Sequence, residues 1–460
     1  RLRKMKVNLL AVDEAHCISQ WGYDFRPPYL KIAELRDHLP GTPVLALTAT
    51  ATPDVISDIQ QKLRFRQENV YKKSFERKNL TYAVIHEEDK LNRLLRIMAK
   101  VSGSGIIYVR SRRKTKDISD FLNKNNVSTC YYHAGLDSKT RDSRQSEWMK
   151  GEKRVIVATN AFGMGIDKPD VKFVVHFDLP DTLEAYFQEA GRAGRDEKKA
   201  YAILLFNSAD QIDAQHHFEM AYPLPEMIRN VYQCIGNYYN LAIGSGSESS
   251  FDFDIFSFSS SYNLKPINVY AALKFLEMDG YISTGESLNP VSTLFINGDK
   301  ETLYRFQIEN KSYDPFIKTL LRSYGGVFND FVKINESELA TRLKTTKEKI
   351  VEQLIYLNKS GLLTYVPQNE KPRIVFTRER VDVKNLEITK DNYFDRKKIA
   401  KQKLDAVIHY INSHLKCRSQ LLLGYFGDND TGRCGQCDIC LERNKLDLSE
   451  LEFDNIVNII

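Results

Sequence analysis

Short runs of apolar and β-branched residues alternate with amphipathic stretches over the first two hundred residues. Continuous apolar runs separated by segments of helical periodicity are typical of strands buried on both faces of a parallel sheet. The runs occupy residues 7–12, 43–47, 105–109, 154–158, 172–177 and 200–206. The pattern therefore predicts an α/β fold for this part of the chain.

The pattern changes after this region. Residues 207–243 have helical periodicity, and the Gly- and Ser-rich segment 244–250 predicts a linker or loop. Two later segments, 262–298 and 336–378, share a plan of short helices, a tight turn and a β-like stretch. This plan predicts winged-helix-like structure, with the two segments as possible copies of one unit.

The second of these segments has the clearer signals for the start and end of a helix. Thr345 and Glu348 have the spacing of a capping box, and apolar residues at helical spacing continue from there to Gly361. The stretch 373–377 has β-like character and is predicted to follow the two helices as the wing.

Length and composition limit the class of protein. A chain of 460 residues is about three times a typical ~150-residue domain, so we expect several domains. The hydrophobic fraction of 42% and the charged fraction of 27% are those of a globular protein. No apolar run approaches the ~18 to 20 residues of a membrane span, and a signal peptide is not expected. The net charge of +6 permits a nucleic-acid partner without implying one.

The sequence Asp-Glu-Ala-His at residues 13–16 follows the first apolar run. Open α/β sheets carry catalytic groups at such strand ends. Asp13 can hold the Mg²⁺ that bridges ATP phosphates, and Glu14 can orient and deprotonate the attacking water. These four residues alone fit the start of a surface helix equally well, so the assignment depends on the rest of the chain.

Two further motifs resemble those of superfamily 2 helicases. Thr48 and Thr50, in the small hydroxyl segment after run 43–47, match the third motif of that superfamily, which couples the nucleotide to the neighbouring lobe. Gln188, Arg192 and Arg195 match the sixth motif. Its arginines neutralise the charge that develops on the γ-phosphate. The alternative for these arginines is a solvated helix face.

Residues 1–210 resemble the RecQ family of DNA helicases. The segment Cys-Ile-Ser-Gln-Trp-Gly-Tyr-Asp-Phe-Arg-Pro-Pro-Tyr, which starts directly after His16, is similar to the aromatic-rich loop of that family. Exposed rings in such a loop can stack on unpaired bases, at ~1 to 3 kcal/mol per base. The loop residues with this expected role in DNA binding or coupling are Trp21, Tyr23, Phe25 and Arg26. Packing of the rings against the first lobe is the alternative.

The resemblance extends to the second-lobe motifs. It implies that Ser111, Arg112 and Thr159 contact the DNA backbone, and that Gly165 and Asp167 lie near the nucleotide. It also implies ATP and Mg²⁺ as cofactors, DNA with single-stranded regions and duplex junctions as the partner, unwinding in the 3′ to 5′ direction, and work in DNA repair and recombination. The expected location is intracellular, in a bacterial nucleoid or a nucleus.

One part of the family pattern is absent. A phosphate-binding P-loop needs Gly-x-x-x-x-Gly-Lys-Ser/Thr, and no Gly-Lys dipeptide occurs in the 460 residues. The family carries this loop upstream of the Asp-Glu-Ala-His motif, and twelve residues precede Asp13 here. We therefore expect the chain to be a fragment of a longer enzyme. These residues alone are expected to bind ATP poorly and to hydrolyse it negligibly.

The C-terminal part contains a cysteine cluster with the spacing Cys-x₁₆-Cys-x₂-Cys-x₂-Cys. Four thiolates at this spacing predict a closed tetrahedral Zn²⁺ site, with disulfides or free thiols as the alternative. The predicted ligands are Cys417, Cys434, Cys437 and Cys440. The residues around them resemble the zinc-binding subdomain of the RecQ family, although the family order places a winged helix after the zinc site.

The predicted architecture is α/β, with RecA-like helicase lobes of which the first is incomplete, winged-helix-like units and a small helical zinc-binding subdomain built on the four cysteines. The expected division is 1–78 for the C-terminal part of the first lobe, 79–210 for the second lobe, 211–250 for a helical connector and linker, 251–390 for the winged-helix-like region, 391–445 for the zinc-binding subdomain and 446–460 for the start of a following segment.

The sequence favours an ATP-dependent DNA helicase of RecQ type. A non-enzymatic DNA-binding or adaptor protein with winged-helix and zinc modules is the second hypothesis, and the sequence upstream of Arg1 distinguishes the two. An RNA helicase of the same superfamily is disfavoured by the aromatic loop together with the four-cysteine site.

Overall fold

The computed structural model describes residues 6–19, 26–163, 166–285, 292–297, 300–328, 331–367 and 372–445. The chain divides into two compact units, Arg1–Glu219 with Asp395–Ile460, and Met220–Phe394. The second unit is therefore an insertion in the sequence of the first. Among the helices described, none combines the length and the apolar character that a bilayer crossing requires.

The first unit begins with a small parallel pair of strands. Its elements are β1 (Leu10–Val12), α1 (Leu35–His38), β2 (Val44–Ala46) and α2 (Pro53–Lys62). Strands β1 and β2 pair in parallel, with Leu10 opposite Val44. Helix α2 buries Val55 and Ile59 against Ile18 from the turn that follows β1. The two predicted apolar runs of this region are thus neighbouring strands.

A parallel sheet of six strands follows. The elements are β3 (Leu80–His86), α3 (Lys90–Lys100), β4 (Ser104–Tyr108), α4 (Arg112–Lys124), β5 (Thr129–Tyr132), α5 (Ser138–Met149), β6 (Val155–Ala158), β7 (Val171–His176), α6 (Leu183–Ala190), β8 (Ala200–Phe206) and α7 (Ser208–Ala221). The strand order is β3-β8-β7-β4-β6-β5, and every pairing is parallel. The predicted α/β fold is confirmed.

The apolar runs predicted the inner strands and missed the two edge strands. Strands β4, β6, β7 and β8 lie inside the sheet and are buried on both faces, whereas β3 and β5 are its edges. Edge strands carry polar residues within their apolar pattern, as Thr81 and His86 do in β3 and Thr129 does in β5. In this sheet the search for continuous apolar runs therefore found the interior strands and missed the edges.

The described residues of the inserted unit form seven α-helices and two small antiparallel sheets. Its elements are α8 (Pro225–Tyr238), β9 (Ser250–Asp252), α9 (Ile255–Ser261), α10 (Pro266–Met278), β10 (Ile282–Gly285), β11 (Thr293–Ile296), α11 (Lys300–Glu309), α12 (Asp314–Ser323), β12 (Val332–Lys333), α13 (Glu336–Leu343), α14 (Lys347–Lys359), β13 (Leu363–Val366) and β14 (Arg373–Phe376). The sheets have the strand orders β10-β14-β9 and β12-β11-β13.

The two winged-helix-like segments are nested, which corrects the sequence interpretation of 373–377. Ile282 of β10 pairs with Phe376 of β14, so this strand belongs to the first sheet. The wing strand after α14 is β13, which pairs with β11. Alternating burial is the same in β11 and β14 and does not identify the partner strand. The capping residue of α14 is Thr346 rather than the predicted Thr345, since its side chain accepts from the Lys349 amide.

The ends of the inserted unit meet. The Tyr393 hydroxyl donates to the Pro223 carbonyl at 2.7 Å. The chain then returns to the first unit as α15 (Arg396–Asn412), α16 (Arg418–Tyr425) and α17 (Asp438–Lys445). Helix α15 places Tyr410 and Ile411 in the same core as the strands of the six-stranded sheet. The insertion therefore interrupts the sequence of the first unit and leaves its core continuous.

The close packing of β4 against β7 gives a stability test. A Cβ on Gly105 would overlap the Phe173 ring, and the Gly105 carbonyl accepts from Trp148 Nε1 at 3.1 Å. We expect Gly105→Ala to lower the free energy of unfolding by about 1 to 3 kcal/mol, because overpacking displaces neighbours in a dense core. Urea unfolding followed by tryptophan fluorescence measures the change.

Gly41→Ala is the matched control, since a Cβ there meets nothing within 4 Å. An equal change in the free energy of unfolding for both substitutions would show that the contact between Gly105 and Phe173 does not limit the side chain at position 105.

Candidate nucleotide and metal sites

The chain turns sharply where β1 ends. Glu14 has left-handed backbone angles, φ 48 and ψ 42, and its amide donates to Asp13 Oδ1 at 2.8 Å. The Ala15 amide donates to the Leu47 carbonyl at 2.9 Å, which ties the turn to the end of β2. A non-glycine residue in this conformation costs of order 1–3 kcal/mol and is held only where its surroundings determine it. Residues Asp13 and Glu14 are thus fixed at the end of a strand.

His16 connects this turn to the segment after β2. Its side chain is buried, with Nδ1 2.9 Å from Thr48 Oγ1 and 3.4 Å from Glu14 Oε2. The Thr48 hydroxyl in turn donates to the Thr50 carbonyl at 3.2 Å. One hydrogen-bonded path therefore links the residues of the Asp-Glu-Ala-His motif with the two threonines.

A cavity of about 400 Å³ brings several predicted site residues together. Its lining residues are Glu14, Ala49, Thr50, Arg77, Gly163, Ile166, Asp167, Phe187, Gln188, Gly191, Arg192 and Arg195. Asp13 precedes Glu14 and is exposed, but it is not one of the described residues that line the cavity. The cavity thus has one wall from the first strand pair and one from the six-stranded sheet.

Two arginines from the segment after α6 reach the loop after β6. Arg192 Nη1 donates to the Gly163 carbonyl, and Arg195 Nη1 donates to the Ile166 carbonyl at 2.9 Å and to Asp167 Oδ1 at 2.7 Å. Within the part of the chain described, Arg192 Nε and Thr50 Oγ1 are buried without a hydrogen-bond partner. A guanidinium and a hydroxyl with unused donors fit a phosphate group, whose oxygens accept several hydrogen bonds.

A second set of predicted residues lies at the carboxyl edge of the sheet, outside the lining of this cavity. Ser111 and Arg112 follow β4, and Thr159 follows β6. Ser111 Oγ accepts from the Lys114 amide at 3.1 Å and so caps α4. Burial, with the Arg112 guanidinium as a further cause, lowers the pKa of the neighbouring His133. The edge is therefore polar, with acidic as well as basic side chains, since Lys114 pairs with Asp178 there.

Only some of the remaining predicted residues lie within the part of the chain that the structure describes. The Arg26 amide donates to the Cys17 carbonyl at 2.8 Å, so the end of the aromatic segment returns to its beginning. The other predicted residues of the loop and the nucleotide site, Trp21, Tyr23, Phe25 and Gly165, lie outside the described residues.

Arg77 and Phe187 are among the cavity residues that sequence reasoning missed. Arg77 precedes β3 and donates to the carbonyls of Ala193 and Gly194 at 3.1 and 3.0 Å, so it holds the segment that carries the two arginines. Phe187 lies next to Gln188 on α6 and contributes its ring to the wall. Arg77 has no local motif around it, while Phe187 was visible only as a neighbour of the sixth motif.

The four predicted zinc ligands converge. Their sulfur atoms all lie within 4.8 Å of one another, with Cys417 Sγ 3.4 Å from Cys434 Sγ and 3.8 Å from Cys437 Sγ. A tetrahedral site with Zn–S bonds of ~2.3 Å requires sulfurs ~3.8 Å apart, whereas a disulfide needs ~2.05 Å. The distances fit one shared metal ion, and the cysteines of the described chain are free.

Amides and neighbouring charges prepare this cluster. The Cys440 amide donates to Cys437 Sγ at 3.4 Å, and the Cys434 amide donates to Cys417 Sγ at 3.4 Å. Arg418 and Asp438, each next to a ligand in sequence, form a bidentate pair with Nη2 and Oδ2 2.9 Å apart. Such outer contacts orient metal ligands.

Three family models match the chain. Residues 87–197 match the helicase conserved C-terminal domain, residues 294–367 match the RecQ helicase winged-helix domain described for Bacteroidota, and residues 380–441 match the RecQ zinc-binding domain. The winged-helix match precedes the zinc-binding match in this chain.

Curated proteins agree with these matches. The ATP-dependent DNA helicase RecQ of Pasteurella multocida is 46% identical over 45% of this chain and 33% of its own length. The probable ATP-dependent DNA helicase RecS of Bacillus subtilis is 41% identical over 45% of this chain and 42% of its own length.

Among solved structures, S. cerevisiae Dbp5 bound to RNA and ADP BeF3 is 20% identical, over 47% of this chain and 58% of that one, with a TM-score of 0.39.

Residues 87–197, which form much of the six-stranded sheet, match a helicase domain, so the class of protein is a helicase. The winged-helix and zinc-binding matches are specific to one branch of that class. The chain belongs to the RecQ family of helicases. The chain spans about a third of the length of the first relatives it matches.

The geometry of the four cysteines predicts about one zinc ion per chain. We expect Cys437→Ser to lower the zinc content strongly and to destabilise residues around α16 and α17, because structural zinc contributes ~10 to 16 kcal/mol to small domains. Elemental analysis of the purified protein, with thermal unfolding, measures both effects.

Cys234→Ser is the control, because Cys234 is a buried cysteine of the inserted unit. A folded wild-type protein with well under one zinc per chain would contradict the assignment.

Proposed function

We propose that the full-length protein is an ATP-dependent DNA helicase that couples hydrolysis of Mg-ATP to 3′ to 5′ translocation and to unwinding in DNA repair and recombination. The observation that supports this most directly is the cavity that gathers Glu14 and Thr50 with Gln188, Arg192 and Arg195. Carboxylate, hydroxyl and guanidinium groups around one cavity are the groups that phosphoryl transfer uses.

The residues have distinct proposed roles. Bound Mg-ATP supplies the reacting phosphates, and Asp13 holds the metal ion. Glu14 orients and deprotonates water, while Arg192 and Arg195 offset the charge on the γ-phosphate. The hydrogen bond between His16 and Thr48 supports a role in coupling the motif to its neighbours. Asp167, paired with Arg195, and Gly165 complete the nucleotide site.

DNA is the proposed partner. The relatives are named as DNA helicases, and Ser111, Arg112 and Thr159 share one sheet edge at which a phosphate backbone can be bound. The aromatic residues of segment 20–25 are proposed to stack on bases. The protein is proposed to work inside the cell. We also propose the domain boundaries given above for the two lobes, the winged-helix-like region and the zinc-binding subdomain.

The role of Glu14 is tested by Glu14→Gln in the full-length protein. We expect ATP turnover to fall by at least about a hundredfold while nucleotide still binds, because the amide cannot accept the proton and Asp13 is retained. Steady-state ATPase rates and binding of a fluorescent nucleotide measure the two effects.

Glu87→Gln is the control, since Glu87 is a carboxylate that pairs with Arg93 outside the cavity. A wild-type full-length protein that binds DNA and zinc without hydrolysing ATP would favour the adaptor hypothesis.

The aromatic segment is tested separately. We expect Trp21→Ala and Phe25→Ala to preserve ATP binding and most DNA affinity, which depends on many phosphate contacts, while lowering DNA-stimulated hydrolysis and unwinding. The measurement is ATPase rate against single-stranded DNA concentration, together with unwinding of a 3′-tailed duplex.

Tyr71→Ala removes another aromatic ring, 91% exposed and away from the cavity, and is expected to have no effect. Wild-type stimulation and unwinding in both loop variants would mean that the rings only pack against the protein.

A further inference from the structure

A buried charge pair holds helix α6 one turn before the residues that it contributes to the cavity. Lys403 of α15 and Glu184 at the start of α6 have side chains that are only 12% and 4% exposed, and Lys403 Nζ lies 3.5 Å from Glu184 Oε1. Burial lowers the pKa of Lys403, and Glu184 opposes that change. Burial also raises the pKa of Tyr425, with the Glu184 carboxylate as a further cause, and the side chains of Glu184, Lys403 and Tyr425 line one small pocket. The three groups connect α6 to two helices of the region 395–445.

Aromatic rings form a second connection to the same helix. Tyr186 packs against Tyr410 of α15 with ring centroids 5.4 Å apart, and Phe187 packs against Phe426 with centroids 5.1 Å apart. Phe426 also contacts Phe75, in the segment between the two sheets, at 5.1 Å. Phe187 lines the nucleotide cavity, so one ring separates that cavity from the cysteine-bearing region.

The cysteine-bearing region also touches the opposite wall of the cavity. A Cβ on Gly427 would lie 2.8 Å from Pro53 Cγ, and Pro53 starts α2 shortly after Thr50. The Ser74 hydroxyl donates to Asp428 Oδ2 at 2.9 Å. Contacts from a single short segment thus reach both walls between which the cavity lies.

We propose that residues 395–445 position the nucleotide site, with Lys403, Tyr425 and Phe426 as positioning residues that hold α6 so that Arg192 and Arg195 face the cavity. The inference rests on the proposed function and assigns control of that site to side chains outside it. Removing one member of a buried pair leaves an uncompensated charge, to which the surrounding structure must adjust. Dense packing transmits such an adjustment along a short helix.

The test compares Lys403→Met with Lys398→Met in the full-length, zinc-loaded protein. Lys398 is exposed on the same helix and is the matched control. For Lys403→Met we expect kcat for ATP to fall about tenfold to a hundredfold with KM changed less than about threefold, because misplaced groups that act in the transition state reduce turnover more than ground-state binding. Zinc content is expected to stay at the wild-type level.

A second pair of variants separates positioning from general damage. Removing both charges in Lys403→Met with Glu184→Gln is expected to recover most of the lost kcat, since no buried charge is left alone. Tyr425→Phe removes only a hydroxyl and is expected to lower kcat by a few-fold, so the inference remains testable if Lys403→Met fails to fold.

Hydrogen exchange of the α6 amides supplies a readout that does not need activity. We expect faster exchange over Leu183–Ala190 in Lys403→Met and Tyr425→Phe than in Lys398→Met. A wild-type protein without ATPase activity would overturn the proposed function while the exchange rates still decide the inference. Exchange equal to the control, or kcat equal to the control in an active protein, overturns the inference itself.

Discussion

The parallel pairing of the six strands constrains the rest of the first unit. Strands β4, β6 and β7 are buried on both faces, so they carry mostly apolar sequence, and the buried polar side chain of His176 has Glu189 as its partner. Parallel strands all end at one edge, and the segments that follow them must emerge there. Ser111 and Thr159 lie at this edge for this reason. The segment with the arginines after α6 lies at the opposite edge, where the Gly194 amide donates to the carbonyl of Val171 at the start of β7 at 2.9 Å.

Helix α6 connects the parts of this unit. It follows β7, buries Tyr186 against the sheet and presents Gln188 to the cavity. Its buried face also includes Glu184, which pairs with α15 of the cysteine-bearing region. Glu184 and Gln188 are one helical turn apart, so a shift of the helix at Glu184 also moves Gln188. Helix α6 therefore contacts both the cavity and the four-cysteine region, although more than two hundred residues separate the two in sequence.

The inserted unit explains this separation. Its first and last residues meet through Tyr393 and Pro223, and inside it β10 pairs with β14 across the whole second winged-helix-like segment. Insertions whose ends lie close together leave the host core intact, because they need no change in the packing of the elements on either side. Nesting thus adds two small sheets without interrupting the six-stranded sheet or the contacts of α15.

The sequence alone determined the features that depend on short separations. Apolar periodicity located the inner strands, the Cys-x₂-Cys steps located the metal ligands, and Asp13, Glu14 and the arginines were recognisable from their neighbours. The edge strands, the partner of β14, the role of Arg77 and the pairing of Lys403 with Glu184 were decided only by the tertiary structure. Local patterns report which face of an element is apolar and which ligands are close along the chain. They carry no information on which distant element will cover that face, because that choice depends on how all the elements pack together.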